Sequence, residues 1–288
     1  MSTKQIEGQM TFGDIEITAT TPPPEIESPE TTKSPKSKNI NYARVPDSEF
    51  NMPTPTDVPT VKDIIKNLDK GTYKVSRHEF LSDLFECGAI AISNKFDKRN
   101  AVKREETYLN IIKKYDKDMQ NLLAETFAMI YGLLTAQTFS SVGFNDYLGE
   151  IYMQSETSNS KAGQFFTPYH VSLASAEMTL ERGLIEQYIE EDKILTLNEP
   201  TCGSGGMVLA AADVLYNRYH FNISRNLLVV CGDIDKRCVH MAYLQLALAG
   251  IPAIIYHQNA LSLETWDEWE TPAYIMQWLR FRNCLKDK

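Results

Sequence analysis

ILTLNEPTCGSGGMVL, residues 194–209, decides how the rest of this chain is read. The apolar run Ile194-Leu195-Thr196-Leu197 ends in Asn198-Glu199-Pro200, which marks the close of a buried strand. Gly203-Ser204-Gly205-Gly206 follows as a tight loop, and residues 207–219 then carry a helical pattern. Strand, glycine loop and helix in that order form the entry to an α/β nucleotide- or cofactor-binding domain. Glycine permits positive φ in the turn, and the unpaired N–H groups of the helix start face a negatively charged ligand group.

Two common versions of that layout are excluded. A dinucleotide fingerprint starting at Gly203 and Gly205 would need a third glycine where Val208 stands, and a P-loop would need a lysine after Gly206. The pattern Asn-x-Pro-x-Cys-Gly-x-Gly-Gly instead resembles motif I of adenine-N6 DNA methyltransferases, and is most similar to the modification subunit of type I restriction-modification systems. The resemblance implies that the loop cradles the methionine end of S-adenosylmethionine (SAM), with Asn198, Pro200, Gly203 and Gly205 among the contacts.

Three further stretches carry the same resemblance. Asp146-Tyr147-Leu148-Gly149-Glu150-Ile151-Tyr152, then Gly163-Gln164-Phe165-Phe166-Thr167-Pro168, is similar to the D-x-L-G-x-x-Y and G-Q-F/Y-F/Y-T-P run of the family. Taken locally, Thr167 caps a helix over 169–180 with Pro168 at its first position. By resemblance, Phe166, Thr167 and Pro168 pack over the SAM methionine moiety. Residues 226–232 read as a short buried strand, ending at Asp233-Ile234-Asp235. An acidic residue there accepts hydrogen bonds from ribose hydroxyls in α/β nucleotide sites. Asp233 fills the role with Asp235 as the second choice, and capping of the next helix (238–248) is the plain alternative for either. A third strand, 253–256, leads to His257-Gln258-Asn259-Ala260-Leu261, which resembles the motif III stretch. Asn259 then meets the adenine ring of SAM, although a turn asparagine would look the same.

Composition bounds the remaining possibilities. With 288 residues, 43% of them hydrophobic, the chain can bury a sizeable core. The formal charge of −9 is uneven, being −4 over residues 1–60, +2 over 61–144 and −7 over 145–288. Any contact with DNA therefore falls on the middle segment, where Lys95, Lys98, Arg99, Lys103 and Arg104 crowd into ten residues and could neutralise several phosphates. A solvated helix face is the alternative. The five cysteines are scattered without a C-x-x-C pair, and the histidines lack metal-ligand spacing, so neither a disulfide framework nor a metal site is expected. No apolar run reaches the roughly 18 residues of a membrane helix, and a cytoplasmic protein is expected.

The expected fold class is α/β, a SAM-dependent methyltransferase-like (Rossmann-like) partial parallel sheet, preceded by an α-helical segment and a disordered N-terminal tail. Residues 1–60, rich in Pro, Thr, Ser and Glu, form the tail, 61–144 the helical region and 145–288 the SAM-binding domain.

One constellation is missing. Methylation of an exocyclic amine needs acceptors that hold its hydrogens, and a ring to stack on the flipped base. In the resembled family Asn/Asp-Pro-Pro-Phe/Tyr (motif IV) supplies both. No such motif follows Asn259, and Thr271-Pro272-Ala273-Tyr274 fits a helix cap better, with Thr271 as N-cap. The exposed edge of a three-stranded sheet would then need covering, by the C-terminal helix or by another chain. The resemblance implies a site-specific DNA methyltransferase. The alternative is a non-catalytic SAM-binding module, such as a regulatory or assembly partner of a complete methyltransferase or an anti-restriction decoy.

Overall fold

Three parallel strands carry the crossover pattern that the sequence announces. β3 (Leu195–Glu199) pairs with β4 (Leu227–Asp233), and β4 pairs with β5 (Ala253–Asn259). The computed structural model describes residues 10–12, 15–19, 58–71, 74–139, 143–156, 166–282 and 284. Gly163, Gln164 and Phe165 lie outside the described residues, as does most of the expected tail. Two short strands there, β1 (Met10–Phe12) and β2 (Ile15–Ala19), extend the sheet antiparallel to β3. β1 and β2 fall in the segment for which the sequence suggested no element.

Helices precede the sheet as the periodicity predicts. α1 (Val61–Leu68) begins with a capping box, in which the Thr60 hydroxyl accepts from the Asp63 N–H and the Asp63 carboxylate accepts from the Thr60 N–H. α2 (Arg77–Phe96), α3 (Ala101–Ile112) and α4 (Lys117–Phe139) follow. Phe80, Leu81, Leu84, Phe85 and Ala89 of α2 are buried, as are Leu122, Leu123, Ile130, Leu133 and Leu134 of α4. One continuous core joins these residues to the strands and to Trp269.

The second half adds α5 (Tyr147–Glu156), α6 (Tyr169–Thr179), α7 (Arg182–Glu190), α8 (Gly206–Asp213), α9 (Ile223–Asn226) and α10 (Lys236–Leu248). The helix expected over 207–219 is α8 followed by a π-helical turn, Val214–Arg218. α10 packs between the sheet and α2, which places the helical segment directly against the sheet-bearing half of the chain.

Two expectations are corrected. The third strand does not end at Tyr256, and the sheet does not stop there. β5 turns at Asn259 and returns antiparallel as β6 (Glu264–Glu270), which covers the edge of β5. The sequence ETWDEWE hid this strand, because four acids in seven residues mask its alternation. α11 (Pro272–Met276) and α12 (Trp278–Phe281) cover the face of the sheet, where Tyr274 and Phe281 bury Leu228 and Ile254. The Thr271 hydroxyl accepts from the Tyr274 N–H with Pro272 at N1, as the capping reading of that stretch requires.

Candidate cofactor site

The glycine loop is built from the ends of β3 and β4. The Cys202 N–H donates to the Gly232 carbonyl (2.8 Å), and the Gly205 N–H closes the turn on the Cys202 carbonyl (2.8 Å). Gly203 and Gly205 stand at φ +54° and +95°, in the left-handed region that L side chains rarely adopt. Gly205 is the N-cap of α8. The first N–H groups of that helix, from Gly206 onward, have no intrahelical acceptor and remain for a ligand. A Cβ on Gly203 would come within 3.1 Å of the Phe166 ring, so loop and ring already sit at contact distance.

Asp233 ties the loop to the end of β4. Its Oδ2 accepts from the Gly203 N–H (2.9 Å) and its Oδ1 from the Asp235 N–H (2.8 Å). Burial raises its carboxyl above the ordinary range, against the lowering effect of those backbone hydrogen bonds. Each oxygen keeps acceptor capacity for a further donor.

Asp235, the second choice for the ribose, is committed elsewhere. It caps α10 through the Arg237 N–H (2.9 Å) and holds the Arg237 guanidinium at 2.6 Å. Arg237 also donates to the Tyr152 hydroxyl (2.9 Å), and the Tyr152 ring lies 5.7 Å from that of Phe166. A chain of contacts therefore runs from Asp235 through Arg237, Tyr152 and Phe166 to Gly203.

The fold thus brings Phe166, Gly203, Gly205 and Asp233 together. Asn198 and Pro200 are half-buried at the end of β3, beside the loop. Thr167 and Pro168 are exposed, and Pro168 rather than Thr167 is the N-cap of α6, with no side-chain cap hydrogen bond. Asn259 closes β5, where its Oδ1 accepts from the Leu261 N–H (2.9 Å) and the Ser262 N–H (3.2 Å), the geometry of an Asx turn.

Sequence reasoning missed the support beneath the loop. Asp146, quoted above only as the first residue of a motif, is 6% exposed and sits under the glycines. Its Oδ2 accepts from the Ser204 hydroxyl (2.5 Å), and its Oδ1 accepts from the Gln245 amide (2.8 Å) and the Gly149 N–H (3.0 Å). Gln245 also donates to the Ser204 carbonyl (2.7 Å). The available signal was a glutamine inside the apolar run of α10, Ala242-Tyr243-Leu244-Gln245-Leu246, since a buried amide there must have partners.

The basic cluster divides. Arg104 is 5% exposed and cannot meet a phosphate. It donates to Ser93 Oγ (2.6 Å), Asp97 Oδ2 (3.0 Å) and the Glu268 carbonyl (2.7 Å), and its guanidinium lies 3.9 Å over the Trp269 ring. Arg99 is paired with Asp97 at 3.1 Å and with Glu270. These two arginines fasten the helical segment to β6, and burial corrects the reading of Arg104 as a phosphate contact, while Arg99 stays exposed. Lys95, Lys98 and Lys103 are exposed, with the Lys98 ammonium on the Asn94 carbonyl (2.7 Å).

Residues 144–284 match a known protein family, described as N-6 DNA methylase. No curated protein matches the chain. Among the described residues no helix is long and apolar enough to cross a membrane.

Proposed function

Through residues 144–284 the chain belongs to the N-6 DNA methylase family, and from that premise we propose that it binds SAM at the glycine loop and serves methylation of adenine N6 in DNA. The family implies DNA as the substrate. The observation that carries the cofactor reading is the hydrogen bond from the Gly203 N–H to Asp233. It joins the loop after β3 to the acid after β4, at the carboxyl ends of two parallel strands, where α/β sheets bind nucleotides.

The residues present fit such a cofactor. Positive φ at Gly203 and Gly205 leaves the loop as bare backbone, and the N–H groups at the start of α8 suit the carboxylate of an amino-acid moiety. Asp233 accepts from the ribose hydroxyls with its remaining lone pairs. Phe166, held by Tyr152, closes over the methionine end, and Asn259 lies at the adenine end of the strand edge. When bound, SAM supplies a methyl group activated by its sulfonium.

Acceptors for the two amine hydrogens would come from an Asn/Asp-Pro-Pro-Phe/Tyr segment, which the sequence lacks after Asn259. Thr271 and Pro272 cap α11 instead, with Thr271 0% exposed and its hydroxyl donating to the Ile251 carbonyl (2.8 Å). No residue described here is assigned to the amine. Exposed Lys95 and Lys103 remain as contacts for DNA phosphates, and a specificity or methyltransferase partner would supply the rest of the DNA surface.

Calorimetric titration with SAM tests the site. Asp233→Ala removes charge-assisted acceptors of the ribose hydroxyls, a loss of roughly 1.5–3 kcal/mol, or about 10- to 100-fold in Kd. Equal affinity of wild-type and Asp233→Ala proteins, both folded by circular dichroism, would remove Asp233 from the site.

A further inference from the structure

Asp146 stands out in this fold as a buried carboxylate without a counter-cation. Among the described residues no lysine, arginine or histidine lies within ion-pair distance of it, and burial raises its pKa against the hydrogen bonds from Ser204, Gln245 and Gly149. Isolated buried charge is costly, and an amide of the same shape would avoid that cost by keeping one oxygen for Gln245 and Gly149 and turning its NH2 as donor to the Ser204 hydroxyl oxygen. The position of the charge supplies a reason for keeping it.

The carboxylate lies one residue layer beneath the glycine loop. Ser204, which it anchors, stands between the two glycines of positive φ, and a Cβ on Gly206 would come within 2.8 Å of Asp146 Oδ2. The same side chain accepts from Gly149 in the first turn of α5 and is braced by Gln245 from the middle of α10. Three elements thus converge on one anion under the loop. In so dry a setting its field reaches a ligand on the other side with little screening.

We infer that Asp146 is a positioning residue of the cofactor site, whose charge makes the loop favour a sulfonium-bearing ligand over the neutral thioether that remains after methyl loss. The inference rests on the SAM reading given above. Ser204 transmits the positioning, and the unpaired negative charge supplies the preference. A cationic sulfur gains from an anion across the loop, whereas a thioether does not, so the spent cofactor is held less tightly than the fresh one.

Two ligands and two variants separate the parts. Kd is measured by calorimetry for SAM and for S-adenosylhomocysteine with wild-type, Asp146→Asn and Ser204→Ala proteins, and thermal melts are recorded alongside. Asp146→Asn keeps the shape and discards the charge. It should weaken SAM by at least about threefold more than S-adenosylhomocysteine, while the melting temperature stays level or rises. Ser204→Ala keeps the charge and frees the loop, so it should weaken both ligands by the same factor.

If Asp146→Asn weakens both ligands equally, or neither, the charge preference is overturned. A fallen melting temperature together with equal weakening would leave Asp146 a purely structural residue, which also overturns the inference. Should Asp146→Asn fail to fold, Ser204→Ala decides the positioning role, and unchanged affinity in that variant refutes it. Wild-type protein that binds neither ligand removes the SAM reading itself, an outcome distinct from intact binding with an unshifted ratio.

Discussion

Replacing Arg104 by alanine is expected to loosen the molecule at one identifiable place. The guanidinium is 5% exposed, and the Asp97 carboxylate that it meets at 3.0 Å is 2% exposed. Removing one partner of a buried pair costs about 3–5 kcal/mol, because the other charge stays buried. Asp97 retains hydrogen bonds from Asn100 (3.0 Å) and from the Arg99 side chain (3.1 Å), which pulls the figure toward the lower end. The stacking over the buried Trp269 ring adds about 2 kcal/mol, the range of desolvated pairs. Ser93 and the Glu268 carbonyl lose partners as well. The expected loss is about 4–5 kcal/mol in urea unfolding at pH 7.

The pH dependence follows in sign. Burial raises the Asp97 carboxyl, but hydrogen bonds from Asn100 and Arg99 and the charges of Arg99 and Arg104 outweigh it and hold the group below the ordinary carboxylate range. A lowered carboxylate contributes stability above its unfolded pKa of about 3.9 and loses it as pH falls through the folded value. The gap between wild type and Arg104→Ala should therefore be full at pH 7 and shrink below about pH 4. A loss under about 1 kcal/mol at pH 7, the range of exposed ion pairs, would refute the clamp.

Other expectations are narrower. Gly205→Ala places a Cβ at φ +95° and should destabilise by about 1–3 kcal/mol in thermal or urea melts; a neutral result would mean that the loop relaxes freely. Phe166→Ala removes the ring that meets Gly203 and Tyr152, and should weaken SAM in calorimetry by about tenfold while the melting temperature changes little, since the ring is only partly buried. Lys95→Ala and Lys103→Ala should each lower the salt slope of DNA binding by about one, whereas Arg104→Ala should leave that slope unchanged. Asp146→Asn should gain stability relative to wild type as pH rises above about 4. Burial raises that carboxyl, so its contribution is present at low pH and lost as pH climbs through the folded value.

What the sequence disclosed, and what it hid, divides along physical lines. β3, the loop, β4 and α10 were legible because periodicity, glycine and proline encode local geometry, and positive φ at Gly203 and Gly205 is a local requirement. The N-cap at Thr271 was legible for the same reason. β6 was not, since its one buried acid, Glu270, is paired by Arg99 from 171 positions earlier. Arg104 looked like part of a phosphate patch because five cations in ten residues carry no mark of which will be buried. In the sequence Asp235 is as good a candidate for the ribose as Asp233, but in the fold its carboxylate is held by Arg237. Asp146 was quoted for its motif, yet its partners Ser204 and Gln245 stand 58 and 99 residues away, and no spacing rule connects them.

The joint between β6 and the helices bears on how such chains can be shuffled. Arg104 reads a main-chain carbonyl at Glu268, so the side chain at 268 can drift, but Asp97, Ser93 and Arg104 must change as a set. A chimera that takes residues 144–284 from one relative and the preceding helices from another would inherit a mismatched lock at the rim of its own sheet. Homologous exchange at this locus should therefore leave its crossovers outside the interval from Ser93 to Glu270, and the two halves should travel through lineages together.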